Sequence, residues 1–261
     1  MASFGVILAA AGRSRRFGAG GRREKKPFVE LDGRPVWVRA ITPFADHPDV
    51  KSLVVVVAAD DLQWFKERYR PHLAFLNIEV VSGGSQRADS VRCGLEAVAS
   101  DCEFVAVHDA ARPLIQRKDI DNVFEAAVRY GAAILATRVA DTLKRVDESG
   151  RVVATVSRDG IWAAQTPQVC RTEWLREAYR KRSGTPTDEA QLLQDAGFPV
   201  FVVEGVPSNF KITTAADLKL AEAWLKASPA PKQRSLHPFA EERFDRDEAG
   251  PPIDPRALFD L

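Results

Sequence analysis

Short runs of valine, isoleucine and leucine, separated by amphipathic stretches, constrain this chain more than any other feature. Candidate strands are Phe4–Ala10, Leu53–Ala58, Ile78–Val81, Phe104–Val107, Ala132–Arg138 and Val200–Val203. Most are continuously apolar rather than alternating, the pattern of strands covered on both faces. Between them, Ala88, Val91, Leu95 and Val98 fall three or four apart and make one helical stripe. Ile120, Val123, Phe124, Ala127 and Val128 make a second. Leu218, Ala221 and Leu225 make a third, opened by Thr214-x-x-Asp217, a start like a capping box. Repeated β-α units with short connections predict an α/β fold with a doubly wound, mostly parallel sheet and right-handed crossovers. The 261 residues, 45% of them hydrophobic, suffice for one full core.

Residues 139–170 break the rhythm. Two β-prone runs, Thr142–Val146 and Arg151–Val156, flank the polar turn Asp147-Glu148-Ser149-Gly150 and predict a hairpin. Such an insertion is expected to project as an arm, over about residues 139–165, either embracing a second subunit or packing on its own domain. The main domain is expected to span 1–227. Residues 228–261 are Pro-rich and charge-mixed and are expected to be a flexible tail, pinned if at all by Phe239, Phe244 and Leu258.

The apolar run from Val6 breaks at Gly12 into a glycine-rich basic loop holding Arg13, Arg15, Arg16, Arg22, Arg23, Lys25 and Lys26, offset only by Glu24. A basic loop at the carboxyl end of a first strand lies where an open α/β sheet places its ligand. Glycines admit a ligand to the backbone N–H groups and several cations suit a polyphosphate; the alternative is a merely solvated loop. It is not a Walker A sequence, since no Gly-Lys-Ser/Thr ends it, nor a dinucleotide fingerprint. The whole chain carries a net charge of only +1, unlike a nucleic-acid binder. Three scattered cysteines and four histidines without ligand spacing exclude a disulfide framework and a zinc cage. With no bilayer-length apolar stretch and no signal-like start, the expected location is cytoplasmic.

Four further clusters could carry chemistry. Ser82–Ser90 is a glycine turn opening a helix, suited to reading a nucleoside through backbone groups, or else a tight turn with Ser85 as N-cap. Val107-His-Asp-Ala-Ala-Arg-Pro113 places Asp109 and Arg112 at the end of a buried strand. Asp109 could take hydrated Mg²⁺ or a ribose hydroxyl and Arg112 a phosphate, or the two could pair with each other. Asp141-Thr142-Leu143-Lys144, Ser157-Arg158-Asp159 and Gln165-Thr166-Pro167-Gln168 offer an arginine and hydroxyls for a phosphorylated polar molecule. Thr187 looks like a helix N-cap, and Lys211 looks like the end of a short strand pointing at phosphates.

In this order, Ala9–Phe17, Gly83–Val91, Val107–Pro113, Asp141–Lys144, Gln165–Gln168, Thr187–Ala190 and Asn209–Thr213 resemble the 2-C-methyl-D-erythritol 4-phosphate cytidylyltransferase family over roughly residues 4–226. The resemblance implies a Rossmann-like nucleotidyltransferase sheet with a homodimerising β-arm and no nucleic-acid or membrane partner. It implies transfer of CMP from CTP to a polyol phosphate with Mg²⁺ or another divalent cation. Arg16 and Lys26 match the loop residues at the triphosphate, with Lys25 a rival for the second. Ala10, Ala11, Gly12, Gly83, Gly84, Arg87, Ala88 and Ser90 match the nucleotide pocket. Asp109, with Ala110, matches the ribose and metal position, the metal held directly or through water. Arg112, Thr142, Thr166, Thr187 and Asp188 match substrate contacts, Arg158 the arm arginine and Lys211 a catalytic lysine. Two other readings are a ribitol-5-phosphate cytidylyltransferase and a non-catalytic nucleotide-binding protein.

Overall fold

The apolar runs assemble into one seven-stranded sheet in a computed structural model, which describes residues 2–12, 25 and 27–227. The elements are, in chain order, β1 (Phe4–Ala9), β2 (Glu30–Leu31), β3 (Arg34–Pro35), α1 (Val36–Ala45) and β4 (Val50–Val57). A 3-10 turn (Ala59–Asp61) leads to α2 (Leu62–Arg68), α3 (Arg70–Phe75), β5 (Ile78–Ser82), α4 (Arg87–Ala97), β6 (Phe104–Asp109) and α5 (Arg117–Tyr130). Then come β7 (Ala132–Arg138), β8 (Leu143–Val146), β9 (Val152–Val156), β10 (Trp162–Arg171), α6 (Thr172–Lys181), α7 (Glu189–Asp195), β11 (Phe201–Glu204) and α8 (Ala215–Ala227). All six expected strands are present, their ends displaced by at most three residues. Among the described residues no helix is long and apolar enough to cross a membrane. The expected tail, with Phe239, Phe244 and Leu258, lies outside the described residues.

The strand order is β11-β7-β10-β6-β1-β4-β5. β1 pairs in parallel with β4 and β6, β4 with β5, and β7 with β11. β10 is antiparallel to both neighbours, β6 and β7. The cause is local. The chain leaves β7 at the carboxyl edge, makes the β8–β9 hairpin, and re-enters the sheet from that edge, so its next strand must run back. The sequence pattern missed β10 because polar residues and a proline, Gln165-Thr166-Pro167-Gln168, interrupt it. These residues form a bulge: the register jumps from Ala164↔Ala136 to Gln168↔Ile134. A bulge of this kind re-aims side chains out of the sheet's normal alternation.

The two-sided burial follows from side chains alternating across the strands. Val6, Leu8, Val55 and Val57 pack with Trp37, Ile41, Phe44, Phe65 and Phe124 on one face. Ile7, Val54 and Val56 pack with Val91, Leu95, Leu175 and Leu192 on the other. Each fully buried side chain of this kind contributes about 1.5–3 kcal/mol. In α5 the stripe is Ile120, Val123, Phe124 and Ala127, with Phe124 stacked on Phe4 at 3.9 Å. Val128, expected in that stripe, is exposed. It lies roughly 90° round the helix from the stripe's centre.

The hairpin forms its own two-stranded sheet, with Leu143 opposite Val156 and Arg145 opposite Ala154. Its turn is held by the Asp147 carboxylate, which accepts from the backbone N–H groups of Ser149 and Arg151, each at 3.0 Å. Val146, Val152 and Val153 are about half exposed on it. The expected capping box of α8 is present: Asp217 N–H donates to Thr214 Oγ1 (3.2 Å), and Asp217 Oδ2 accepts from the N–H groups of Thr214 (2.8 Å) and Thr213 (2.7 Å).

The fold generates two predictions. Gly94 on α4 lies flat on β1 and β4, and a Cβ there would stand 2.6 Å from Ile7 Cγ2 and 2.8 Å from Val56 Cγ2. Overpacking of about 1–3 kcal/mol should outweigh the ~1 kcal/mol that alanine gains in a helix, so Gly94→Ala should lower the urea midpoint. The second prediction concerns Asp217. The Thr213 hydroxyl foremost, with the backbone donors, outweighs slight burial and holds the Asp217 carboxyl down at about 2, below its ordinary 3.8. A depressed carboxyl stabilises above its unfolded value and loses that contribution as pH falls through the folded one. Asp217→Ala should therefore cost about 1 kcal/mol at pH 7, and urea titrations of the two proteins should converge near pH 2.

Candidate active site

The chain leaves β1 towards β4 and β5, then returns to the other side of β1 as β6. The crevice beyond the carboxyl ends of β1 and β6 is therefore the switch point at which such sheets bind ligands. Ala9 and Asp109 are register partners there. Ala10 N–H continues the ladder to Val56 O (2.8 Å), Gly83 N–H to Val57 O (2.7 Å) and Ala110 N–H to Ala9 O (3.2 Å). The ends of four adjacent strands are thus stitched level.

One wall of the crevice is the turn into α4. A Cβ on Gly83 would stand 2.6 Å from Ser90 Oγ and 2.9 Å from Ala11 Cβ, and one on Gly84 would stand 2.5 Å from Asp89 Cβ. The glycines therefore let Ala11 and Ser90 close on one another. Ser90 Oγ donates to Gln86 O at 3.0 Å, and Ala10 and Ala88 are buried beneath this wall. Ser85 is not the N-cap; Gln86 takes that position, and Ser85 Oγ bonds the Asp89 carboxylate at 3.0 Å. Gly12 is exposed at the rim.

The floor is an ionic cluster around Asp109. Its carboxylate meets Lys211 Nζ at 2.7 Å, Arg87 Nη2 at 3.6 Å and Arg112 Nε at 3.7 Å. The expected alternative, a private Asp109–Arg112 pair, is only the loosest of these contacts. Burial by itself would raise the Asp109 carboxyl, but Lys211, then Arg87 and Arg112, overcome it and hold the group well below the ordinary carboxylate range. Arg87 is also gripped bidentately by the buried Glu189, at 2.7 and 2.9 Å, and the two carboxylates raise its pKa despite burial. Arg112 Nη1 donates to Asn209 O at 2.7 Å, and Asn209 Nδ2 reaches Gln165 Oε1 (3.1 Å) and Thr166 O (2.9 Å).

Two positions differ from the sequence expectation. Lys211 does not end a strand. It lies in an irregular segment fixed by Ile212 N–H to Ala111 O (2.8 Å), by the full burial of Ile212 and by the α8 cap that follows. Thr187 is not the N-cap of α7. Asp188 is, its carboxylate accepting from Gln191 N–H (2.9 Å) and Gln168 Nε2 (2.9 Å), while exposed Thr187 bonds the Gln191 amide oxygen. The placement is chemical: an ionised carboxylate is the stronger acceptor for orphan helix N–H groups.

The structure thus joins Ala10, Ala11, Gly83, Ser90, Arg87, Asp109, Ala110, Arg112, Thr166 and Lys211 around one crevice. Among the described residues no hydrogen bond or ion pair connects Thr142 or Arg158 to it. Both lie on the exposed arm, where Arg158 Nη1 donates to Ala140 O. Arg16 and Lys26 lie outside the described residues. Lys25 forms an ion pair with Asp61. Sequence reading missed Glu189, Gln168, Asn209 and His108 as organisers of the site. Glu189 meets Arg87 from 102 residues away, and His108 meets Thr166 from 58 residues away.

Among the described residues no three His, Cys, Asp or Glu side chains converge as a metal cage. Mg²⁺ characteristically takes one or two carboxylates and completes its shell with substrate phosphates and water. Asp109 offers one such carboxylate, and Lys211 Nζ, which holds it at 2.7 Å, would give way to the metal.

The Arg87–Glu189 pair makes its own prediction. Removing one member of a largely buried ion pair costs about 3–5 kcal/mol. With Arg87 partly open to solvent, Glu189→Ala should destabilise by about the lower of these figures in urea titration. Glu189→Gln, which keeps the shape and one acceptor, should lose clearly less.

Against known proteins, the sequence profile described as IspD, 2-C-methyl-D-erythritol 4-phosphate cytidylyltransferase, matches residues 4–227. The chain is 40% identical over 223 residues to the 2-C-methyl-D-erythritol 4-phosphate cytidylyltransferase of Endomicrobium trichonymphae, covering 85% of this chain and 98% of that protein. It superposes on the crystal structure of 4-diphosphocytidyl-2C-methyl-D-erythritol synthase from Anaerococcus prevotii with a TM-score of 0.73 at 29% identity, covering 86% of this chain and 99% of that one. The Thermus thermophilus cytidylyltransferase structure gives 0.69 at 33% identity, covering 85% and 98%. A profile matched from the first strand to the last helix, together with this crevice, shows that the chain belongs to the 2-C-methyl-D-erythritol 4-phosphate cytidylyltransferase family.

Proposed function

We infer that the chain transfers CMP from CTP to 2-C-methyl-D-erythritol 4-phosphate and releases pyrophosphate, a step of non-mevalonate isoprenoid synthesis. The observation that carries this reading is the Asp109-centred cluster of Lys211, Arg87 and Arg112, set at the switch point beside the Gly83–Ser90 wall. A phosphate oxygen of the acceptor, already ionised near neutral pH, attacks the α-phosphorus of CTP in line. A new P–O–P bridge forms, the bond to the β-phosphate breaks, and its electron pair leaves on pyrophosphate. The step needs no acid or base from the protein.

Its barrier is electrostatic. Two like unit charges about 4 Å apart repel by about 4 kcal/mol at the effective dielectric of a protein surface. Preorganised cations offset this where charge accumulates. Lys211 is half exposed on the crevice floor and free to exchange Asp109 for a phosphate oxygen. Arg16 and Lys26 are assigned to the triphosphate from the basic loop. Lys25, ion-paired with Asp61, is the rival to Lys26 for that role. The turn at Gly83, Gly84 and Ser90 is assigned to the nucleoside. A divalent cation held by Asp109 and the phosphates would supply further charge neutralisation.

Arg112, Thr142, Thr187 and Arg158 are assigned to the acceptor. The two arm residues complete such a site when the arm of a second copy folds over it. The half-exposed valines of the hairpin support a homodimer built that way.

The test is pyrophosphate release with CTP, Mg²⁺ and either methylerythritol phosphate or ribitol 5-phosphate. Turnover should require the former, and faster turnover of ribitol 5-phosphate would overturn the assignment. Lys211→Ala, Arg16→Ala and Lys26→Ala should each slow turnover at least about tenfold, or ~1.4 kcal/mol of barrier. Near-native rates in all three would remove the charge-compensation mechanism.

A further inference from the structure

His108 immediately precedes Asp109, is completely buried, and has no assignment in the reaction. Its ring lies against Phe44, centroids 5.1 Å apart. Nε2 is 3.1 Å from Arg112 O, and Nδ1 is 3.1 Å from Thr166 Oγ1. Thr166 Oγ1 also accepts the backbone N–H of Asp109 at 3.0 Å.

For the neutral ring, proton accounting leaves one arrangement that satisfies these groups. A carbonyl oxygen only accepts, so Nε2 must carry the proton. In a neutral ring Nδ1 is then an acceptor. Thr166 Oγ1 already accepts from Asp109, and its own proton goes to Nδ1. A protonated ring would strand the Thr166 proton and bury a cation with no carboxylate bonded to it, which burial in apolar surroundings opposes.

The chain of bonds closes on the Asp109–Arg112 loop from both ends. It holds the N–H at the loop's start through Thr166 and the C=O at its end directly. Between them, Arg112 N–H bonds Asp109 O (3.0 Å), Ala110 N–H bonds Ala9 O and Ala111 O accepts from Ile212 N–H. Thr166 is 4% exposed, and its hydroxyl is committed to this chain of bonds.

We propose that His108 is a positioning residue: neutral and protonated at Nε2, it works with Thr166 as a two-ended brace that sets the directions of Asp109 and Arg112 in the crevice. The proposal deepens the transferase reading and rests on it for its kinetic consequence. Arg112, whose carbonyl the ring holds directly, is assigned to the acceptor, whereas Asp109 N–H is held by Thr166, so loss of the ring should matter more for the acceptor phosphate than for CTP.

The experiment uses the full chain. Nitrogen-15 spectra at neutral pH, with the His108 signals identified by their absence in His108→Phe, should show a pyrrole-type Nε2 and a pyridine-type Nδ1. Thr166→Val, which keeps shape and removes the hydroxyl, should shift the Asp109 amide and weaken that tautomer preference. In pyrophosphate assays His108→Phe, which keeps a ring against Phe44, should raise the acceptor KM at least fivefold while changing the CTP KM by less than twofold. His108→Gln, which restores a donor near the Nε2 position, should recover some of that loss. A His108 protonated at Nδ1, an Asp109 amide unmoved in Thr166→Val, or an acceptor KM equal in His108→Phe and wild type would each overturn the brace. The spectra report on the brace even if the wild-type chain turns over neither acceptor, an outcome that would sink the transferase reading alone.

Discussion

A single buried carboxylate organises this molecule's working edge. Asp109 ends a fully buried strand, where an uncompensated charge would cost several kcal/mol. Three cations from separate regions of the chain converge on it: Arg87 from the start of α4, Arg112 from the loop it begins, and Lys211 from the segment before α8. Each cation would repel the others without that charge among them. Glu189 acts in the same way farther from the crevice, holding Arg87 from behind. The outcome is a surplus of positive charge on a fixed frame. That surplus is what a meeting of two phosphorylated reactants demands.

The frame explains why so few flexible groups are involved. Strand ends are locked level by backbone bonds across β1, β4, β5 and β6. The Lys211 segment is trapped between the Ile212 anchor and the α8 cap. Asn209 and Gln165 tie that segment to β10, so Arg112 and Lys211 are positioned by the same hydrogen-bonded knot. Catalysis through charge compensation depends on such prior placement, because cations that must reorganise during the reaction give back much of their benefit.

The parallel strands and the stripes of α4, α5 and α8 were legible in the sequence, because periodicity reports burial directly. The motif residues were legible because each follows a strand end. β10 was not, because its bulge places Gln165, Thr166, Pro167 and Gln168 in mid-strand and their polarity imitates a loop. The cap of α7 falls one residue later than expected because Thr187 and Asp188 are both good caps, and the carboxylate is the stronger acceptor and receives Gln168 as well. Glu189 and His108 were invisible for a different reason. Each depends on a partner far along the chain, Arg87 at 102 residues from Glu189 and Thr166 at 58 from His108.

The return strand β10 has a mechanical side. It runs, through its bulge, from Trp162 at the root of the protruding hairpin to Arg171 beside α6. Trp162 is only four residues from Thr166, about 13 Å of extended backbone. The hairpin is therefore a handle mounted on the same rod as the hydroxyl that props the Asp109 amide. Whatever seizes the handle also loads the crevice floor, through the strand that carries Thr166.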